Sequence, residues 1–161
     1  MSTGTLPPHQ FDARGLRFAL CATRWNGEIV DGLLHDAREA LEARGATEIV
    51  IYRCAGVFEL APLCARVARK GGVDGIIAIG CLVRGGTDHY TLLAQETTRA
   101  LGGVALELAV NPRPIALTFG VLTCDTLEQA EERADPKRSA KGAEAALACI
   151  EQVRGLTAVG S

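Results

Sequence analysis

The sequence predicts a three-layer α/β/α sandwich, doubly wound around a four-stranded parallel sheet in a single domain. Three observations predict it. Four short runs are almost wholly apolar, as strands covered on both faces are. Between them lie segments whose apolar residues recur with the 3.6-residue period of amphipathic helices. The two patterns alternate along the chain without an internal repeat, which is the order of a parallel α/β fold. At 161 residues, with 48% hydrophobic and 22% charged residues, the chain has the size and composition of one globular domain, not of a disordered or collagen-like one.

Residues 1–15 are polar, contain Pro7-Pro8, and read as a loose arm. The domain is expected over 16–154, with 155–161 as a tail. The first strand is the run Leu16 to Ala22. In the first helix Ile29, Val30, Leu33, Leu34, Ala37, Ala40 and Leu41 form one face, Glu28, Asp31, His35, Arg38 and Glu42 the other, and Gly45 stops it. Glu48 to Cys54, rich in Ile and Val, is the second strand, and a helix from Leu60 to Lys70 ends at Gly71-Gly72. The third strand is Gly75 to Gly80, followed by a helix from His89 to Leu101 that stops before Gly102-Gly103. The fourth strand, Pro114 to Phe119, is expected to end at Phe119. Thr126-x-x-Gln129 opens a fourth helix as a capping box, and Ala140 to Val153 is a fifth.

In open α/β folds ligands bind beyond the carboxyl ends of the strands. The scarce residues of this sequence gather at those places. Arg24-Trp25-Asn26 follows the first strand and holds the only Trp. Gly56-Val57-Phe58-Glu59 follows the second, and Cys81 to His89 follows the third. Arg84-Gly85-Gly86-Thr87, directly ahead of a helix, reads either as an ordinary Gly-rich turn or as an anion site of backbone donors at a helix N-terminus. His89 reads as a capping histidine or as an acid/base group. Trp25 reads as a plug over the sheet edge or as a flat surface for a planar heterocycle, with Phe119 as a second aromatic wall. Glu59 either favours its helix start or accepts from ligand hydroxyls. The basic cluster Arg133, Lys137, Arg138 and Lys141 is a solvated face or contains a phosphate-binding arginine. His9 and His35 carry no assigned role.

Several function classes find no support. No G-x-x-x-x-G-K-[ST] is present, so nucleotide hydrolysis by a P-loop is not expected. A net charge of −2 gives no overall drive toward nucleic acid or anionic lipid. No apolar run approaches the ~18 residues of a membrane span. The first fifteen residues carry no apolar core of a signal peptide, and the six cysteines form no C-x-x-C pair. A cytoplasmic protein with reduced thiols is expected, without disulfides. Cys81, Cys124 and His89 lie near strand ends, but their spacing matches no ligand pattern, and no metal is expected.

In order and spacing, five segments resemble one enzyme family: Arg-Trp-Asn at Arg24, Gly-Val-Phe-Glu-Leu at Gly56, Val-Arg-Gly-Gly-Thr-Asp-His-Tyr at Val83, the run from Phe119 to Ala134, and Lys-Gly-Ala-Glu-Ala-Ala at Lys141. The family is 6,7-dimethyl-8-ribityllumazine synthase, and the resemblance runs from about Leu16 to Gln152. It implies a flavodoxin-like fold, condensation of 5-amino-6-(D-ribitylamino)uracil with 3,4-dihydroxy-2-butanone 4-phosphate, release of phosphate and water, and no metal or organic cofactor. It implies that Trp25 stacks on the pyrimidine, and that Val57, Phe58 and Glu59 line the pyrimidine and ribityl chain. Cys81, Leu82 and Val83 would contact the pyrimidine edge through backbone groups, and Gly86 and Thr87 would hold the phosphate. His89 would transfer protons. Phe119, Arg133 and Lys141 would reach in from a neighbouring subunit of a homopentamer or of a pentamer-based assembly, an icosahedral capsid included. Riboflavin synthase is the implied macromolecular partner. The sequence departs from the family at Cys54-Ala55, where Pro usually precedes the glycine; at Asp88, where a neutral residue is common; and in a segment about five residues longer near Ala109 to Pro114. A flavodoxin-like flavin-binding module without catalysis is the alternative reading.

Overall fold

The computed structural model describes residues 11–159. Its elements run β1 (Arg17–Thr23), α1 (Gly27–Ala43), β2 (Glu48–Cys54), a 3-10 turn (Val57–Glu59), α2 (Leu60–Lys70), β3 (Gly75–Val83), α3 (His89–Ala109), β4 (Ala116–Cys124), α4 (Leu127–Ala134) and α5 (Lys141–Val159). The four strands are all parallel, in the order β2-β1-β3-β4. Side chains alternate across the sheet, as strand geometry dictates. Phe18, Leu20, Ala22, Ile77 and Ile79 enter the core under α1, α4 and α5. Ala19, Cys21, Ile76 and Ala78 enter the core under α2 and α3. The expected three-layer sandwich is what the chain forms.

Four expected boundaries differ from the observed ones by three residues or more, each for a packing reason. β3 continues past Gly80 to Val83, because β4 pairs with it through Val83 after β1 has ended. Cys81, Leu82 and Val83 are therefore strand residues, not loop residues. β4 continues past Phe119 to Cys124, so Phe119 lies in mid-strand, opposite Ala78. Gly120, inside the longer strand, answers a close approach: a Cβ there would stand 3.0 Å from the Ala78 carbonyl oxygen and 3.3 Å from the Ala145 methyl. α3 runs through Gly102-Gly103 to Ala109. Both glycines face open space, while Leu101 and Leu108 are buried on the inner side and carry the helix across its two weak positions. α5 likewise passes Gly155 and reaches Val159, with Leu156 packed on the core. Residues 1–10 of the expected arm lie outside the described residues, as do the last two residues of the expected tail. Within the arm, Ala13 is fully buried, its N–H donates to the Arg44 carbonyl at 2.9 Å, and Arg14 bridges to Ala46.

The layer of α1 and α5 has a backbone-on-backbone contact. A Cβ on Gly142 would stand 2.2 Å from the Leu33 carbonyl oxygen and 3.1 Å from the Ala37 nitrogen. One residue further on, the Ala143 N–H donates to the buried Asp36 carboxylate at 2.7 Å. Asp36 on α1 thus supplies the N-terminal acceptor that α5 lacks in its own sequence. Burial pushes the Asp36 carboxyl above its ordinary value, and the Ala143 N–H offsets part of that rise. Gly142→Ala is expected to lose roughly 1–3 kcal/mol of stability, the usual cost of overpacking. Gly155→Ala, with nothing within 4 Å of the added methyl, is expected to gain about 0.5–1 kcal/mol from helix propensity. Urea midpoints of the two variants test this, and equal stabilities would refute the close approach.

Candidate active site

The strand order decides where a crevice opens. α1 leaves β1 toward one face of the sheet and α3 leaves β3 toward the other, so the carboxyl ends of adjacent β1 and β3 diverge. Such a switch point is where open α/β sheets hold ligands. A cleft of about 530 Å³ lies there. Trp25 and Asn26 come to it from the end of β1, Gly56 to Glu59 from the end of β2, Cys81 to Val83 from β3, and His89 and Leu93 from α3. A groove of about 780 Å³ between Arg17, Asp74 and Ile115 lies at the opposite, amino end of the strands.

Each wall of the cleft has a local cause. The Arg24 N–H donates to the Cys54 and Ala55 carbonyls, and the Trp25 N–H donates to Ala55 at 3.1 Å, which ties the β1 turn to the β2 turn. The Trp25 ring is left 74% exposed. A Cβ on Gly56 would stand in ordinary contact with the Trp25 ring at 3.4 Å and would press on Glu59 Oε2 at 3.2 Å, so the indole, the turn and the carboxylate lie close together here. The Gly56 N–H donates to Glu59 Oε2 at 2.9 Å. Glu59 therefore closes its own turn with one oxygen while its carboxylate lines the cleft. Val57 is buried and packs over Gly80, so its side chain anchors the turn from below, whereas Phe58 is exposed above it.

Asn26 adopts left-handed backbone (φ 56°, ψ 47°), and its Nδ2 donates to the Cys81 carbonyl at 2.8 Å. This is a direct tie across the switch point. Asn26 is a site residue beyond those the sequence pattern assigns, although Asn followed by Gly at a helix start is a signal for left-handed geometry. Leu93 is another. It lies four residues after His89 on α3 and so shares its face.

Two cysteines lie near the cleft, Cys81 in its β3 wall and Cys54 at the end of β2, two residues ahead of Gly56. Burial, then Cys124, pushes Cys81 up to about 12. Burial, then the charge of Glu59, pushes Cys54 up to about 11. Both stay protonated near neutral pH and neither is a nucleophile there. The acid/base groups open to solvent at the cleft are Glu59 and His89, the latter on the first turn of α3. The segment Gly85 to Asp88 ahead of it is exposed, with nothing within 4 Å of a Cβ at Gly86. Gly86 and Thr87 thus stand open at a helix N-terminus, where first-turn N–H groups lack helical acceptors.

The remaining expected site residues do not join this cleft within one chain. Phe119 and Lys141 line a groove of about 870 Å³ between β4 and α5. Phe119 is half-exposed in mid-strand, and Lys141 is paired with Glu144. Arg133 sits on α4, where its Nη1 donates to the Gln129 carbonyl at 3.2 Å, near the carboxyl end of β4. One chain therefore carries two separated parts of the expected site.

A family model described as 6,7-dimethyl-8-ribityllumazine synthase matches residues 15–157. Among curated proteins, the chain is 43% identical over 152 residues to a 6,7-dimethyl-8-ribityllumazine synthase of Myxococcus xanthus, covering 91% of each. It is 45% identical over 161 residues to the protein of that name from Kineococcus radiotolerans, covering 99% of this chain and 96% of the relative. A Chlorobium phaeobacteroides protein of the same name is 44% identical over 143 residues, covering 88% of this chain and 89% of the relative.

Asn26 makes a test of how the cleft is held. Asn26→Ala loses the tie to Cys81 and places a Cβ-bearing residue without a compensating side chain in the left-handed region. Asn26→Gly loses the tie alone. Asn26→Gly is expected to fall below wild type by roughly 0.5–1.5 kcal/mol for the hydrogen bond, and Asn26→Ala by about 1 kcal/mol more for the left-handed backbone. Thermal denaturation of the three proteins measures this, and an Ala variant as stable as wild type would remove Asn26 from the account.

Proposed function

Because this chain belongs to the 6,7-dimethyl-8-ribityllumazine synthase family, we propose that it is a transferase joining 5-amino-6-(D-ribitylamino)uracil to 3,4-dihydroxy-2-butanone 4-phosphate at the switch-point cleft. The observation that carries the reading is the convergence of Trp25, Phe58, Glu59 and His89, from two strand ends and a helix start, on one cleft. Trp25 and Phe58 offer apolar surface to the planar pyrimidine. Backbone groups of Cys81 to Val83 that the β4 ladder and Asn26 leave unused offer donors and acceptors to a pyrimidine edge. The Glu59 carboxylate accepts from ribityl hydroxyls. Gly86, Thr87 and the first turn of α3 receive the phosphate.

The chemistry asks little of any one side chain. The 5-amino group attacks the ketone carbonyl, and water leaves to give an imine. Loss of a proton alpha to the imine, with departure of inorganic phosphate, gives an enol side chain. This tautomerises to a ketone, which the ribitylamino nitrogen attacks, and a second water leaves as the ring closes. His89, exposed at the cleft, moves protons in these steps. The larger contribution is holding the two substrates in register, an effect that reaches about 7–11 kcal/mol in favourable cases.

Phe119, Arg133 and Lys141 complete the site from an adjacent subunit. Two different surface patches, one on each side of the same chain, meet head to tail, and such a heterologous contact makes a ring when the rotation between subunits closes. A ring of five is the assembly in this reading, alone or as the unit of a larger shell. The setting is cytoplasmic, and the lumazine product passes on to riboflavin synthase.

Mixing the two substrates with the purified protein and following lumazine fluorescence and phosphate release tests the function; no turnover above the uncatalysed rate would refute it. Since alignment carries most of the rate, His89→Ala is expected to lose about tenfold, below the 10²–10⁴-fold usual for general acid–base catalysis, with pyrimidine binding kept. A thousandfold loss would move the main burden to proton transfer. Sedimentation under assay conditions is expected to find the activity in pentamers or larger species, and a fully active monomer would overturn the shared site.

A further inference from the structure

The segment proposed to receive the phosphate is intrinsically slack. Gly85 and Gly86 are consecutive, exposed and unsupported by any neighbour within 4 Å of a Cβ. Glycine has more backbone freedom to lose than any other residue, so an ordered Gly-Gly segment needs its ends held. Arg84 stands at the start of this segment and makes three contacts that the reaction does not use. Its N–H donates to the Cys124 carbonyl at 2.9 Å, which extends the β3–β4 ladder by one bond. Its Nε donates to Asp125 Oδ1 at 2.7 Å. Its guanidinium lies 4.3 Å from the centroid of the Tyr90 ring, a cation–π contact.

Tyr90 is the second residue of α3, so the last contact joins the residue before the loop to the helix after it. The loop from Gly85 to His89 is closed by one side chain at both ends. Asp125 is itself held: its N–H donates to Gln129 Oε1 at 3.0 Å, and the Gln129 N–H donates to the Thr126 hydroxyl at 3.3 Å. Arg84 is thus fastened to the capped start of α4 on one side and stacked on α3 on the other. Asp125 in turn holds the Arg84 guanidinium above its ordinary pKa, chiefly through the hydrogen bond.

We propose that Arg84 is a positioning residue for phosphate recognition: clamped between Asp125 and Tyr90, it fixes the Gly85–Thr87 segment so that its N–H groups and the Thr87 hydroxyl face the phosphate together. The inference rests on the reading of Gly86 and Thr87 as the phosphate segment. Arg84 and Asp125 are both at least half exposed, and an ion pair so open to water contributes little to stability. The clamp can therefore be removed without unfolding the chain, and its effect should appear in recognition of one substrate.

The test is steady-state kinetics of Arg84→Ala, Asp125→Ala, the double variant and Tyr90→Phe, in the assembled enzyme, with inorganic phosphate as a competing ligand. Arg84→Ala is expected to raise the KM for the butanone phosphate and the inhibition constant of inorganic phosphate about tenfold, within the roughly 10²-fold that a small misplacement can cost. The KM for the pyrimidine, kcat and the thermal midpoint should barely move. Asp125→Ala should reproduce the shift, and the double variant should be no worse than either single one, because both remove the same clamp. Tyr90→Phe keeps the ring and should match wild type. Three outcomes would overturn the proposal. An unchanged phosphate constant would show that the segment needs no clamp. A rise in both KM values with a lowered thermal midpoint would show a merely structural role. A shift in Arg84→Ala that Asp125→Ala lacks would show direct contact of Arg84 with the ligand. If wild type itself makes no lumazine yet Arg84→Ala weakens inorganic phosphate, the functional reading fails and the clamp stands.

Discussion

The divergence of two adjacent strands is the constraint on which the molecule depends. β1 and β3 lie side by side through Ala22 and Ile79, and then their chains leave toward opposite faces of the sheet. Parallel strands must be followed by crossovers, and right-handed crossovers in opposite directions force this parting. The opening would expose backbone polar groups of β3. Asn26 answers this by donating from its side chain to the Cys81 carbonyl at 2.8 Å, at the cost of a left-handed backbone. The turns after β1 and β2 are tied to each other by N–H groups of Arg24 and Trp25. The crevice is therefore a by-product of topology that local hydrogen bonds have made rigid.

Small residues elsewhere let the layers come close enough to support that crevice. Gly142 brings the backbone of α5 against α1, and Gly120 brings α5 down on β4. Gly80 lets Val57 pack over the sheet beneath the β2 turn, which carries Phe58 and Glu59 to the cleft. The buried thiols complete the same pattern. Cys21, Cys64, Cys81, Cys124 and Cys149 are all buried and free. They fill small spaces as weakly polar groups, and burial keeps Cys81 and Cys54 protonated. Thiol chemistry is thereby kept out of a site in which an amine and a ketone are to react with each other.

Regular elements were legible where sequence pattern and packing agree. The face of α1 and the opening of α4 at Thr126 lie where periodicity and capping place them. The errors share one cause. Gly102-Gly103 reads as a stop and is not one, and the strands and helix expected to end at Gly80, Phe119 and Val153 run on through Gly80, Gly120 and Gly155. A glycine in a strand or helix is locally unfavourable, but the reason it is tolerated lies in another element or in solvent, outside its own sequence window. In the same way, Phe119 as the end of a strand and Cys81 as a loop residue are local readings that the β3–β4 pairing overrode.

The sequence by itself determined the class of fold, the strand-end positions at which the rare residues gather, and the resemblance that names their chemistry. These are carried by periodicity, by residue type and by order along the chain, and need no coordinates. Tertiary structure alone decided which of the gathered residues share one space. Trp25, Phe58, Glu59 and His89 meet because β1 neighbours both β2 and β3 in the sheet. Phe119 and Lys141 stand in another groove because β4 is the far edge and α5 covers it. Asn26 and Arg84 acquired their ties the same way, through partners 55 and 41 residues along the chain. Strand order is a property of long-range pairing, and no local pattern in a sequence encodes which distant strand a given strand will lie beside.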